Sequence, residues 1–270
     1  MPVARARPYA RRMLLAHDVQ GSGPPVLLIH AGVADRRMWD PLVDALAHTF
    51  RVVRPDLRGF GETPLPPGPF SNSEDLDALL AHLGIAHVAV VGSSLGGRTA
   101  LELATTHPGR VSSLVLLNTA YRGLEPTPAA EAVGDEEERL LEAGDVDGAV
   151  ELMVRTWLGP DAGDDARELL RVMQRNAYDV QLAAEEADPG PEPRLVEVDP
   201  TAIAVPTTLV SGGHDIDHFR AIADHLAGQI PGAERVHLDW AGHLPSLERP
   251  DAVLALLLDV LRDDPTVHAP

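Results

Sequence analysis

An uninterrupted apolar run, Val88-Ala89-Val90-Val91, passes directly into Gly92-Ser93-Ser94-Leu95-Gly96, and Leu95 to Thr105 then carries apolar residues at helical spacing. A buried strand that turns into a helix within so few residues crowds its own backbone. Glycines two before and two after the central serine remove the β-carbons that would collide, and they leave the serine hydroxyl exposed on a strained corner. Only the frame centred on Ser94 fits, because Ser93 would need glycine where Val91 and Leu95 stand.

A serine between glycines also marks ordinary tight turns and helix N-caps. A free serine hydroxyl is nearly inert near neutral pH, so a chemical role requires a histidine to take its proton and a carboxylate to orient that histidine.

The remaining pattern alternates. Strands are expected at Met13–His17, Val26–His30, Arg51–Arg54, Ser113–Leu117, Thr207–Val210 and Arg235–Leu238. Helices are expected at Met38–His48, Ser71–Leu83, Asp217–Ala227 and Ala252–Leu261, the second opening on a capping box from Ser71 to Glu74. Such alternation implies an α/β fold, a mostly parallel doubly wound sheet covered by helices on both faces.

One segment breaks the alternation. Residues 122–205 hold 21 Asp and Glu against 7 Arg, whereas the rest of the chain is nearly balanced at 20 against 15. We therefore expect a core of residues 1–121 and 206–270 and an acidic helical cap at 122–205, with two or three amphipathic helices. Its apolar faces should cover the open end of the sheet, which makes Met153, Trp157, Met173 and Tyr178 candidates for the wall of a substrate pocket. Pro189-Gly190-Pro191-Glu192-Pro193 is expected to act as a stiff return linker.

In an open parallel sheet, ligands bind beyond the carboxyl ends of the strands. Ser94, Asp215 and His243 all fall in short loops just past such ends, in the chain order serine, acid, histidine. Asp217 is the main rival acid, but it stands at an expected helix N-terminus, where a carboxylate serves as a cap. His214 and His218 are near the same rim without following the last strand, and His30 is expected to shape its loop without proton chemistry.

With these elements in place the chain resembles the α/β hydrolase superfamily across all but its tails and insertion. The matching motifs are His30-Ala31-Gly32, Asp56-x-Arg58-Gly59-x-Gly61, Gly92-x-Ser94-x-Gly96, and Gly242-His243-x-Pro245 with Glu248 and Pro250 after it. The resemblance implies that Ser94 is the nucleophile, His243 the general base and then acid, and Asp215 the group that orients the imidazole. It implies an oxyanion hole made by the backbone N–H groups of Gly32 and Leu95. The family usually has glycine where Ala31 stands; were a positive φ required there, Val33 would become the donor. Asp56 and Arg58 are expected to clamp neighbouring loops.

Hydrolysis of an ester or lactone of a small apolar substrate through an acyl-enzyme is the implied activity, with no cofactor or metal. The same triad also resembles that of carbon–carbon bond hydrolases, cofactor-free perhydrolases and enol-lactone hydrolases. The last act on dicarboxylates, which an acidic cap repels unless Arg155, Arg171 or Arg175 points inwards. A serine in place of aspartate at the elbow argues against halide- and epoxide-opening relatives. A non-hydrolytic binding or cyclising protein of the same fold is the alternative from another class.

Composition narrows partners further. With no cysteine among 270 residues, disulfides and thiolate chemistry are excluded, and all 22 basic residues are arginine. A net charge of −19 argues against nucleic acid. No apolar run approaches the length of a membrane span, and Met1 to Arg12 has four arginines but no signal-peptide core, so a cytoplasmic location with a small-molecule partner is expected.

Overall fold

The computed structural model describes residues 13–262; the arginine-rich Met1 to Arg12 lies outside the described residues. A seven-stranded sheet forms the centre. Along the chain come β1 (His17–Gln20), β2 (Pro25–Ile29), a 3-10 turn at Arg36–Trp39, α1 (Asp40–Ala47), β3 (Arg51–Pro55), a short β4 (Gly68–Phe70), α2 (Asn72–His82), β5 (Val88–Ser93), α3 (Leu95–Thr106) and β6 (Val111–Leu117). Three helices follow, α4 (Pro128–Glu142), α5 (Val146–Trp157) and α6 (Asp164–Glu185), then a short β7 (Pro191–Pro193). The chain closes with β8 (Thr207–Gly212), α7 (Asp217–Gln229), β9 (Glu234–Leu238), α8 (Pro245–Glu248) and α9 (Pro250–Arg262).

Strand order is β1-β3-β2-β5-β6-β8-β9, and only the β1–β3 pair is antiparallel. The winding direction reverses between β2 and β5, so their carboxyl ends open a crevice at the position where such sheets bind ligands. Alternation within each strand divides the core in two. Val26, Leu28, Ala89, Val91, Val115 and Leu117 face α1 and α9, whereas Leu27, Ile29, Val88, Val90, Leu114 and Leu116 face α2, α3 and α7. Burying each such side chain contributes about 1.5–3 kcal/mol, which outweighs the screened ion pairs on the surface.

Two expectations are corrected. The first strand begins at His17, not at Met13, because the backbone just before it bonds elsewhere. Ala16 O still accepts from Asp56 N at 2.8 Å, one step beyond the His17–Pro55 pair, but Ala16 N turns away to Thr63 Oγ1 at 2.9 Å, so the ladder with β3 ends at His17. Nor is the proline-rich return a mere linker. Pro191–Pro193 pairs in parallel with Gly68–Phe70, and the pair is closed by Gly68 N to Gly190 O at 2.9 Å and Arg194 N to Phe70 O at 2.8 Å. Proline tolerates this because the second sheet has only two strands, so each is an edge.

Helix α5 packs between α4 and α6; α4 touches α7, and α6 touches the Arg36–Trp39 turn. Leu152, Met153, Leu170, Met173 and Tyr178 bury the inner faces of these helices. Among the described residues no helix is long and apolar enough to cross a membrane.

Candidate active site

Ser94 holds φ 51° and ψ −113°, an arrangement costing about 1–3 kcal/mol for a non-glycine residue. The surrounding close approaches enforce it. A Cβ on Gly96 would lie 2.2 Å from the Ile29 carbonyl oxygen, and one on Gly92 would lie 2.5 Å from that of Gly96. Ser94 N donates to Leu117 O at 3.0 Å, while Ser94 O accepts from Ala120 N and Arg98 N, each at 3.0 Å. The hydroxyl itself makes no hydrogen bond, and Ser94 keeps partial solvent access at the start of α3.

Beyond β8 and β9 the structure joins the expected acid and base. His243 Nδ1 lies 2.8 Å from Asp215 Oδ2, and the two residues are 2% and 4% exposed. A carboxylate can only accept, so Nδ1 carries a proton, and in the neutral tautomer the lone pair is on Nε2. Asp215 Oδ1 accepts from Ile216 N at 2.7 Å, which fixes the carboxylate plane. No hydrogen bond joins Ser94 to His243. Asp217 is turned away, accepting from Thr127 Oγ1 at 2.6 Å. His214 is exposed, and His218 packs edge-on against Phe219.

Three groups that sequence reasoning passed over hold His243. Asn118, fully buried with φ 44°, donates from Nδ2 to Gly242 O at 3.0 Å and His243 O at 2.9 Å, and accepts from Gly212 N at 2.8 Å. Its signal was available: a lone amide side chain directly after an apolar strand. Glu248 accepts from Gly242 N at 2.9 Å and Leu244 N at 3.3 Å, on either side of His243, and also from Gly159 N. Burial pushes its carboxyl above the usual range, although those amides pull the other way. Phe219 packs its ring 4.2 Å from the imidazole centroid.

Of the four candidate wall residues, Trp157 sits beside His243. Its ring centroid is 4.5 Å from the imidazole, its carbonyl accepts from His243 N at 3.0 Å, and its Nε1 donates to Met153 Sδ at 3.0 Å. Met173 is buried in the core shared by the helical insertion and the sheet, and Tyr178 donates its hydroxyl to Glu137 Oε1 at 2.6 Å.

On the opposite rim, His30 uses both ring nitrogens, Nδ1 to Ala31 O at 2.8 Å and Nε2 accepting from Leu57 N at 2.9 Å. Burial lowers its pKa, and this bonding pattern suits only the neutral ring. None of residues 31–33 has a positive φ, so the condition that would move the donor to Val33 is absent. Among the described residues, the N–H groups of Gly32 and Leu95 have no acceptor. Asp56 accepts from Arg36 N at 2.8 Å and Glu62 N at 2.9 Å, and Arg58 forms a two-pronged bond to Asp75 at 2.5 and 2.7 Å, so both tie loops together. Among the described residues no cluster of three or more His, Asp or Glu side chains converges as a metal site.

Known proteins are similar to this chain in sequence and fold. The chain is 30% identical over 252 residues to a pimeloyl-[acyl-carrier protein] methyl ester esterase of Aeromonas hydrophila, covering 88% of this chain and 95% of that protein. A thermophilic esterase from Thermogutta terrifontis superposes with a TM-score of 0.73 at 27% identity, over 94% of both chains. The enol-lactonase from Burkholderia xenovorans gives 0.76 at 27% identity, over 92% of this chain and 96% of its own. Residues 24–193 match the family described as the alpha/beta hydrolase fold, and the chain belongs to that family.

Proposed function

We propose that this protein is a serine carboxylic ester hydrolase acting on a small, uncharged, mainly apolar ester or lactone. The observation that carries the reading is the buried Asp215–His243 pair, with its free Nε2 on the rim where Ser94 is presented by a strained elbow. In this reading the unbonded Ser94 hydroxyl turns to Nε2 and attacks the acyl carbon as His243 takes its proton. Catalytic hydrogen bonds of this kind are often loose before substrate binds. Gly32 and Leu95 N–H groups receive the developing oxyanion, and His243 returns the proton to the leaving alcohol. Water then repeats the sequence on the acyl-enzyme, releasing a carboxylate and restoring Ser94.

Substrate charge follows from the helical insertion, which acts as the cap. Arg171 bonds to Glu151 and Glu168, and Arg175 to Asp179 and Asp147, on the outer faces of the helices. Arg155 is exposed on α5. None of the three supplies a counter-charge for a dicarboxylate, whereas Trp157 and Phe219 offer apolar walls. The esterases and the enol-lactonase among similar proteins support the reaction class.

Labelling with a fluorophosphonate, followed by turnover of p-nitrophenyl esters of graded chain length alongside lactones, tests this. One label per chain is expected, lost in Ser94→Ala, and Asp215→Asn should lower kcat on the order of 10⁴-fold. Folded protein that takes no label, or a Ser94→Ala variant that still does, would favour a binding role for the fold.

A further inference from the structure

Among the described arginines that are at least half covered, Arg98 is unlike the rest: none of its nitrogens makes a hydrogen bond. Its Nε is sealed from solvent without an acceptor, and the nearest carboxylate oxygen, Glu102 Oε1, is 3.7 Å away, beyond hydrogen-bonding range. A guanidinium covered this way normally has its fork filled, because an unmet charged donor is costly. Burial and the neighbouring Arg122 both depress the Arg98 pKa, and the Glu102 carboxylate, which lies near both arginines, offsets this only in part. Among the described residues, Arg122 likewise makes no ion pair or hydrogen bond.

Between the two arginines lies a cavity of about 220 Å³. A water molecule needs about 30 Å³, so there is room for a small organic ion. Leu101, Val196, Val198 and the Tyr121 ring supply apolar wall, and Tyr121 is steadied by stacking on His225 with centroids 5.7 Å apart. Glu102 and the exposed Glu197 also line the space, which limits the ligand's charge, since a polyanion would meet both carboxylates. Arg122 belongs to the connection leaving the core for α4, Val196 to Val198 belong to the returning one, and the Arg98 amide bonds to Ser94 O at 3.0 Å. The cavity thus sits at the root of the helical insertion, one helical turn from Ser94.

We propose that this cavity is a binding site for a short-chain monocarboxylate, its two oxygens held by the solvent-reachable terminal Nη groups of Arg98 and by Arg122, and its alkyl tail against Leu101 and the valines. Planar guanidinium forks match carboxylate geometry, and the apolar walls favour an aliphatic acid over an inorganic oxyanion. Occupancy would link α3 to both connections of the insertion. The site stands independently of the hydrolase reading, because its residues are outside the Ser94–His243–Asp215 set.

Titration calorimetry with butyrate and with inorganic phosphate, at constant ionic strength, tests it on the wild type, Arg98→Gln, Arg122→Gln and Glu102→Gln. Butyrate should bind one per chain and more tightly than phosphate. Each arginine variant should weaken it at least tenfold, and Glu102→Gln should tighten it several-fold. Affinity unchanged in both arginine variants, absence of saturable heat, or phosphate binding more tightly than butyrate would each overturn the proposal. Circular dichroism checks folding; were Arg98→Gln not to fold, the exposed Arg122 still gives a readable variant.

Discussion

Asn118 Nδ2 reaches 2.9 Å to the carbonyl oxygen of His243, spanning 125 positions of sequence with both residues buried. The preceding residue, Leu117, accepts from Ser94 N at 3.0 Å. Two consecutive residues at the end of β6 therefore hold the backbones of Ser94 and His243, and the relative placement of hydroxyl and imidazole depends on this one strand end.

Replacing Asn118 by alanine strips partners from three buried backbone groups, Gly242 O, His243 O and Gly212 N. At about 1–3 kcal/mol for each unmet group, with some relief from entering water, the variant should lose about 2–4 kcal/mol. Urea unfolding would show this as a lower midpoint with an unchanged slope. A loss under 0.5 kcal/mol or so would mean that the loop is held by other bonds.

What could be read in advance divides by distance along the chain. The Ser94 elbow is a local matter of sterics, so five residues and their flanking periodicity reveal it. The contact of Asp215 with His243 could be expected because each follows a recognisable strand. The grip on His243 is legible only in part: Asn118 stands out as a lone amide after an apolar strand and Glu248 follows His243 closely, but their backbone partners, and the Trp157 carbonyl, have no residue type to notice. The β4–β7 pair was hidden for a related reason. Proline-rich segments with three residues each carry no strand pattern, and only their closeness in space lets them bond.

Glu248 gives a pH signature with a definite sign. Burial raises its pKa above 4.5, so between that value and its raised value the folded protein holds a proton that the unfolded chain has released. Stability from this group is therefore present below pH 4.5 and is lost as pH rises through the raised pKa. Wild type should lose stability relative to Glu248→Gln as pH climbs through that window, measured by thermal unfolding of both proteins across the range. Parallel pH profiles for the two proteins would show that the carboxyl titrates normally.

His30 has the opposite sign. Its folded pKa lies below 6.5 because burial disfavours the charged ring, and Nε2 already accepts from the Leu57 N–H, which leaves no place for a second ring proton. As pH falls below 6.5 the unfolded chain takes up a proton that the folded one refuses, so stability drops towards the depressed pKa. His30→Gln should flatten this part of the profile, even though the substitution lowers stability overall. Unchanged curvature in the variant would assign the acid lability elsewhere.

Trp157 and Tyr178 separate a wall of the site from the packing of the helices. Trp157→Ala removes a ring 4.5 Å from the His243 imidazole but keeps the main-chain bond to His243 N, so the loop stays tethered while its apolar neighbour disappears. The expected result on the best ester of the panel is a higher KM together with a lower kcat. Tyr178→Phe instead loses the hydroxyl bond to Glu137, at a cost of about 0.5–1.5 kcal/mol, and should leave KM unaltered because that bond joins two residues of the helical insertion and does not touch Ser94, Asp215 or His243. If Tyr178→Phe changed KM as much as Trp157→Ala does, the substrate would have to extend along α6 well beyond the aromatic pair around His243, and the small-substrate reading would give way to a longer acyl chain.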